Sequence, residues 1–236
     1  MNDLKLYRQF QNLCLSFPKL KLQKHGKGPW FIRGILGFCA EYSGCPIEDE
    51  YAVEMMILDE YPDVLPKIFE IGHRIPKTFH HLLDYSLCLG APLAIKQKFK
   101  KDPTLLGFVN NCAIPYLYSF SYKSKFGEMP FGELSHNGLG ILEYYQELFS
   151  LKDNKLVLKF LRFLADGDYR DEDKCLCGSG KRNKVCHGKI LLEINALQSP
   201  AEFQADFYSI ARDLIEIAER PPFYRYPLML TLTRYL

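Results

Sequence analysis

Residues 175 to 188 read CLCGSGKRNKVCHG, placing three cysteines and a histidine in a segment with almost no large apolar side chain. Such a segment cannot order itself by burying surface, and thiolates this crowded repel one another unless a cation lies between them. The spacing C-x-C-x8-C-H supplies four donors, Cys175, Cys177, Cys186 and His187, with Gly178 and Gly180 shaping the turn between them. Three sulfurs and one imidazole match a closed tetrahedral structural zinc site. A redox pair would call for C-x-x-C near a βαβ pattern, and neither is found here. Metal binding of this kind supplies roughly 10–16 kcal/mol of apparent folding free energy at neutral pH. Lys174, Lys181, Arg182, Lys184 and Lys189 surround the donors. They either lower the thiol pKa values and offset the thiolate charge, or simply form a solvated loop.

The rest of the chain has the composition of a folded protein: 236 residues, 47% hydrophobic and 14% aromatic. Thirty basic against 28 acidic residues leave a formal charge of +2, so no global field recruits nucleic acid or an anionic membrane. A nucleic-acid partner is not expected. The N-terminal MNDLKLYRQFQNLCLSF carries an acid and no long apolar core, and no later run approaches the ~20 apolar residues of a membrane span. A cytoplasmic location is the default expectation, and in a reducing compartment clustered thiols are ligands or nucleophiles more often than disulfides.

Periodicity organises the chain into an α+β protein. LYRQFQNLCLSF carries a helical stripe that stops at Pro18. WFIRGILGFCAEY and EYAVEMMILDEYP read as paired strands separated by a turn in SGCPIED, and KIFEI comes next as a further strand of a meander. Residues 92–126 read mostly helical, as do ILEYYQELF and KLVLKFLRFLA. The acidic ADGDYRDEDK reads as a solvated linker. Two amphipathic helices come after the cysteine segment, the second opened by Ser199-Pro200 and stopped by Pro221-Pro222. The expected organisation is a first domain over 1–150, a helix and acidic linker over 151–174, the zinc motif over 175–188 and C-terminal helices over 189–236.

Two resemblances sharpen these expectations. The segment from Cys175 to Gly188 resembles the SEC-C motif, C-x-C-G-S-G-x-x-x-K-x-C-[CH]-G, a zinc-binding docking or stabilising module. Over residues 1–150 the order helix, strands, Tyr61-Pro62 with Pro66, a histidine-bearing loop and Ser86-Leu87-Cys88-Leu89 resembles the ubiquitin-conjugating (UBC) fold. That resemblance implies a four-stranded antiparallel meander flanked by helices, with a small zinc-stabilised helical region after it in this chain. It also implies Cys88 as the nucleophile that carries a protein C-terminus as a thioester. Where the family has His-Pro-Asn this chain has Phe79-His80-His81, so either His80 or His81 is a candidate oxyanion donor or a solvent-facing loop residue. MPFGELSHNGLGILEYY sets Glu133, Ser135 and His136 among glycines, and His136 either shapes an active-site rim or belongs to a turn before a helix. This phrase is similar to one in bacterial UBC-like proteins of antiphage islands, and the whole resembles the conjugating enzymes that accompany nucleotide cyclases in CBASS systems.

The resemblance implies a protein substrate, with a nucleotide-cyclase C-terminus as the candidate. A separate activating enzyme is also implied, because neither G-x-G-x-x-G nor G-x-x-x-x-G-K-[ST] occurs in the chain. Two alternatives remain open at this point: a catalytically silent UBC-like scaffold, with Cys88 an inert thiol packed between Leu87 and Leu89, whose zinc tail binds a partner protein, and a translation- or secretion-linked adaptor whose basic zinc segment is the interaction surface. Cys14, Cys39, Cys45 and Cys112 read as core or loop cysteines.

Overall fold

The computed structural model describes residues 3–24, 26, 28–130, 135, 137–167 and 169–219. The chain divides into two compact units, Met1–Glu133 and Leu134–Leu236.

The first unit is built on a four-stranded antiparallel sheet in chain order: β1 (Leu20–Lys24), β2 (Trp30–Tyr42), β3 (Cys45–Ile57) and β4 (Lys67–Glu70). Alternation explains the long pair. In β3 the odd positions Ile47, Tyr51, Val53, Met55 and Ile57 are buried; in β2 the even positions Ile32, Leu36 and Phe38 are. The register pairs Ile32 with Met55 and Leu36 with Tyr51, so both sets face the same side of the sheet. β1 is a strand that periodicity alone does not reveal, because LKLQK is lysine-rich and its run is short. It enters across Gly34, where a Cβ would stand 2.1 Å from the Lys19 carbonyl oxygen and φ is +152°. Only glycine lets the chain pass so close.

The turn is shorter than the seven residues of SGCPIED. Ser43 and Gly44 alone make it, both with positive φ (50° and 78°), and Cys45–Asp49 continue the strand. Two left-handed residues give the tight connection whose twist matches that of the flanking strands. Of the cysteines read as packed, Cys112 is buried, Cys14 and Cys45 are partly covered and Cys39 is exposed, since its odd position in β2 points away from the core.

Helix α1 (Asp3–Ser16) buries Leu6 and Leu13. After the hairpin that carries Cys88 come α2 (Pro92–Lys101), a short α3 (Leu105–Phe108), one π-helical turn and α4 (Ile114–Phe126). α4 packs on β2 and β3. Their contact is also polar: Ser121 Oγ donates to Asp49 at 2.8 Å and lies 2.7 Å from Tyr51 Oη. Arg74 covers the same carboxylate at 2.8 Å and the Tyr51 ring at 4.3 Å. Burial opposes ionisation of Asp49, yet the hydrogen bonds from Arg74, Ser121, Glu50 N–H and Tyr51 outweigh it and bring its pKa down to about 2.

The second unit consists of α5 (Asn137–Phe149), α6 (Asn154–Asp166), α7 (Gly188–Asn195) and α8 (Pro200–Glu219). α5, α6 and α8 pack against one another. Gly138 sets one crossing: a Cβ there would sit 2.2 Å from the Ser209 carbonyl oxygen, and its N–H donates to Asp213 at 2.7 Å. Inside, Tyr145 Oη and Gln198 Nε2 both donate to Asp206, at 2.8 and 2.7 Å, satisfying a buried carboxylate. No helix among the described residues is long and apolar enough to cross a membrane.

Candidate metal centre and the Cys88 hairpin

The four donor atoms predicted from spacing converge: Cys175, Cys177 and Cys186 Sγ and one His187 nitrogen all lie within 4.8 Å of one another. Two glycines turn the chain back, Gly178 and Gly180, at φ of 80° and 74°. A short ladder then closes the loop, with Lys174 paired to Arg182 and Cys175 N–H donating to Lys181 O at 2.8 Å. Asn183, fully buried, braces it by donating from Nδ2 to Arg170 O at 2.8 Å, and Cys186 N–H donates to Asn183 O at 3.0 Å. Gly188 must lack a side chain, since a Cβ would stand 2.4 Å from Tyr169 Oη and 2.6 Å from Asn183 O.

The acidic run before the loop is more than a spacer. Asn183 N–H and Lys184 N–H donate to the carbonyls of Asp173 and Asp171, and Glu172 pairs with Arg182 and with Lys184, the latter at 2.5 Å. Each added ion pair is exposed and worth little by itself; the backbone bonds fix the register.

His187 shows which of its nitrogens faces the donors. Nδ1 lies 3.2 Å from Cys175 Sγ and 3.3 Å from Cys186 Sγ, while Nε2 lies 2.9 Å from the Phe149 carbonyl oxygen at the end of α5. A carbonyl only accepts, so Nε2 carries the proton and Nδ1 keeps its lone pair for an ion. Phe149 and Phe160, stacked at 5.0 Å, wall the ring, which lies 5.0 Å from Phe160. Among the thiols, burial opposes ionisation of Cys177. Hydrogen bonds from the Ser179 hydroxyl and N–H, then from Cys186 and Cys175, outweigh it and bring Cys177 down to about 6. Burial pushes Cys175 up to about 11. The set fits a four-coordinate metal ion: three sulfurs, one oriented imidazole and no position left for a reacting water.

Cys88 sits in the first unit at the end of a hairpin. His81 pairs with Leu87, Leu82 N–H donates to Ser86 O at 2.8 Å, and Cys88 N–H donates to His80 O at 2.8 Å. The tip is pinned by Asp84, which accepts from Lys67 at 2.5 Å and from the Ser86 hydroxyl at 2.6 Å. Lys67, then the Ser86 hydroxyl, lower the Asp84 pKa to about 2. A carboxyl near 3.9 when unfolded and lower when folded stabilises fully above about pH 4 and loses that contribution as pH falls toward 2. Asp84→Asn at neutral pH should therefore loosen the tip as acid does, read as faster hydrogen exchange at the Leu82 and Ser86 amides. Unchanged protection would show that the carboxylate does not hold the turn.

The Cys88 side chain is half-buried. Burial pushes its thiol pKa up, partly offset by a hydrogen bond from the Gly90 backbone N–H. Gly90 itself has φ of +134°, a conformation that favours glycine. The two candidate histidines differ. His80 lies beside the thiol's backbone, its ring edge-on to buried Phe79 at 4.9 Å; His81 has its Nδ1 buried with no partner. His136 lies outside the described residues, as does Glu133, and Ser135 is committed elsewhere, its hydroxyl donating to Glu143 at 2.5 Å.

Two groups at the hairpin escape sequence reasoning. Gly90 could have been noticed from its place two residues after the cysteine. Tyr116, whose hydroxyl lies 3.1 Å from both the Phe79 and His80 carbonyl oxygens, could not, because in a helical stretch it reads only as core. Two surface grooves, one along α8 and one beside Asp49, are lined by neither Cys88 nor these partners. No family model, curated protein or solved structure matches the chain, and the chemistry of both sites stands on their own geometry.

Proposed function

We propose that this chain is a ubiquitin-conjugating-like transferase that carries a protein C-terminus as a thioester on Cys88, with a structural zinc ion at Cys175, Cys177, Cys186 and His187. The observation that carries the first part is the order of elements in the first unit. A helix, a four-stranded meander in chain order, a hairpin ending at a half-buried cysteine, and a helix opening at Pro92 succeed one another as the UBC resemblance implies. For the zinc, tetrahedral coordination with Zn–S near 2.3 Å and Zn–N near 2.0 Å sets donor–donor edges of about 3.5–3.8 Å. The closest donor pairs here, at 3.2 to 3.5 Å, need only a small expansion.

The chemistry asks little of the protein. Cys88 Sγ attacks the carbonyl carbon of a C-terminus held as a thioester on an activating partner; the new C–S bond forms and the partner's thiol leaves. An amine then attacks the same carbon, an amide forms, the Cys88 thiolate departs, and the amine's proton passes to solvent. A thiolate is both nucleophile and leaving group, so one side chain suffices. Gly90 N–H supports the charge on sulfur at both steps.

The test is the adduct itself. The chain isolated without reductant from cells of its own source should carry, on the Cys88 peptide, a polypeptide remnant released by hydroxylamine and by thiols. Cys88 found only as free thiol under those conditions would overturn the transferase. A second reading then stands: a scaffold of the same fold that binds a partner without chemistry, favoured by the upward displacement of the Cys88 thiol.

A further inference from the structure

We infer that Tyr116 is a positioning residue for Cys88, its hydroxyl tying α4 to the carbonyls of Phe79 and His80 and so fixing the backbone opposite the sulfur. This rests on Cys88 being the reactive group. The bonds form a continuous path. Tyr116 Oη lies 3.1 Å from both carbonyl oxygens, and the His80 oxygen also accepts Cys88 N–H at 2.8 Å. The hydroxyl and the cysteine amide thus share one acceptor.

The segment being held is strained. His80 has φ of +35°, a region that residues with a Cβ avoid and that persists only where the surroundings over-determine it. Tyr116 does this twice over. Its hydroxyl ties the carbonyls, and its ring, buried at 8% exposure, meets Phe79 edge-on at 5.6 Å while Phe79 meets the His80 ring at 4.9 Å. The hydroxyl is also close enough to the sulfur that, after burial, the charge of a Cys88 thiolate is the next influence raising the Tyr116 pKa.

Removing only the hydroxyl separates the tether from the packing, since phenylalanine keeps the ring contacts. The two carbonyls would lose a donor in a buried place, and their uncompensated negative ends, near enough to a Cys88 charge for it to be felt at Tyr116, would disfavour the thiolate. Tyr116→Phe should therefore raise the apparent pKa of Cys88 and slow its reactions at neutral pH, whatever the acyl donor is.

The experiment uses the full chain and iodoacetamide, whose reaction forms a C–S bond and releases iodide. The rate at Cys88 is measured against pH by peptide mass spectrometry, which distinguishes it from the other cysteines. Tyr116→Phe should shift the midpoint upward by about half to one pH unit and cut the rate at pH 7.5 by about 3- to 10-fold. The control is Tyr61→Phe, which removes another buried hydroxyl, bonded at 2.7 Å to Gln9 and not to the hairpin; it should leave the profile in place. A profile unmoved in Tyr116→Phe, or moved equally in both variants, overturns the tether. Should Tyr116→Phe not fold, the unsubstituted protein decides. Its Tyr116 ring Cζ resonance should step at the pH midpoint of Cys88 alkylation, and a resonance without that step overturns the coupling. None of these readouts needs an acyl donor, so a failed transfer assay would leave the inference standing and sink only the proposed activity.

Discussion

Stripping the proposed zinc ion from the second unit is expected to lower its melting midpoint by tens of degrees while leaving the first unit's transition in place. The size reflects how little else holds the loop. Residues 169 to 187 bury few side chains, chiefly Cys175 and Asn183, and their exposed ion pairs add little. Structural zinc in small peptides supplies roughly 10–16 kcal/mol of apparent folding free energy, as much as a typical domain's entire stability of about 5–15 kcal/mol. Even ~3 kcal/mol lost from a unit of about a hundred residues corresponds to roughly 12–24 °C. The loss should spread past the loop, because His187 links it to the α5 carbonyl of Phe149 at 2.9 Å and to the Phe160 ring. Calorimetry before and after a strong chelator, with elemental analysis showing one equivalent of zinc removed, reads it directly. Cys186→Ser should reproduce the apo midpoint. A midpoint that stays put after the ion is demonstrably gone would make the cluster a bystander.

The contrast between the two sites says what a sequence can disclose. The donors at 175, 177, 186 and 187 are legible because their geometry is local: two glycines and a turn bring them together whatever the rest of the chain does. The alternation of β3 is legible for the same reason, since a residue's face depends only on its parity. β1 is hidden because its pairing partner, not its composition, makes it a strand. Tyr116 is hidden more deeply: it meets His80 across 36 residues, through main-chain oxygens that carry no side-chain signature. His81 shows the reverse. HHLLDYSLC looks like a site in sequence, yet His81 turns its Nδ1 into a buried place without a partner, and the donor at the sulfur is Gly90 N–H.

Replacing Cys88 by serine is expected to cut the proposed acyl transfer by a factor on the order of 10³ or more while changing stability little. The two side chains differ by one atom, and a half-buried hydroxyl can accept from Gly90 N–H as the sulfur does, so the fold has no reason to fail. The chemistry has two. A thiol ionises near 8.5 in water and an alcohol far above any physiological pH, so the serine is almost never the anion that attacks. Should it acquire the acyl group, the resulting oxyester is a weak acyl donor, because an alkoxide leaves far less readily than a thiolate. The adduct should therefore change character: on cysteine it is released by thiols, on serine it should survive them and yield to base. Cys88→Ala removes both forms and gives the background. A scaffold that only binds its partner makes the opposite demand, that serine and alanine at this position retain full biological activity, because then nothing at the sulfur is used.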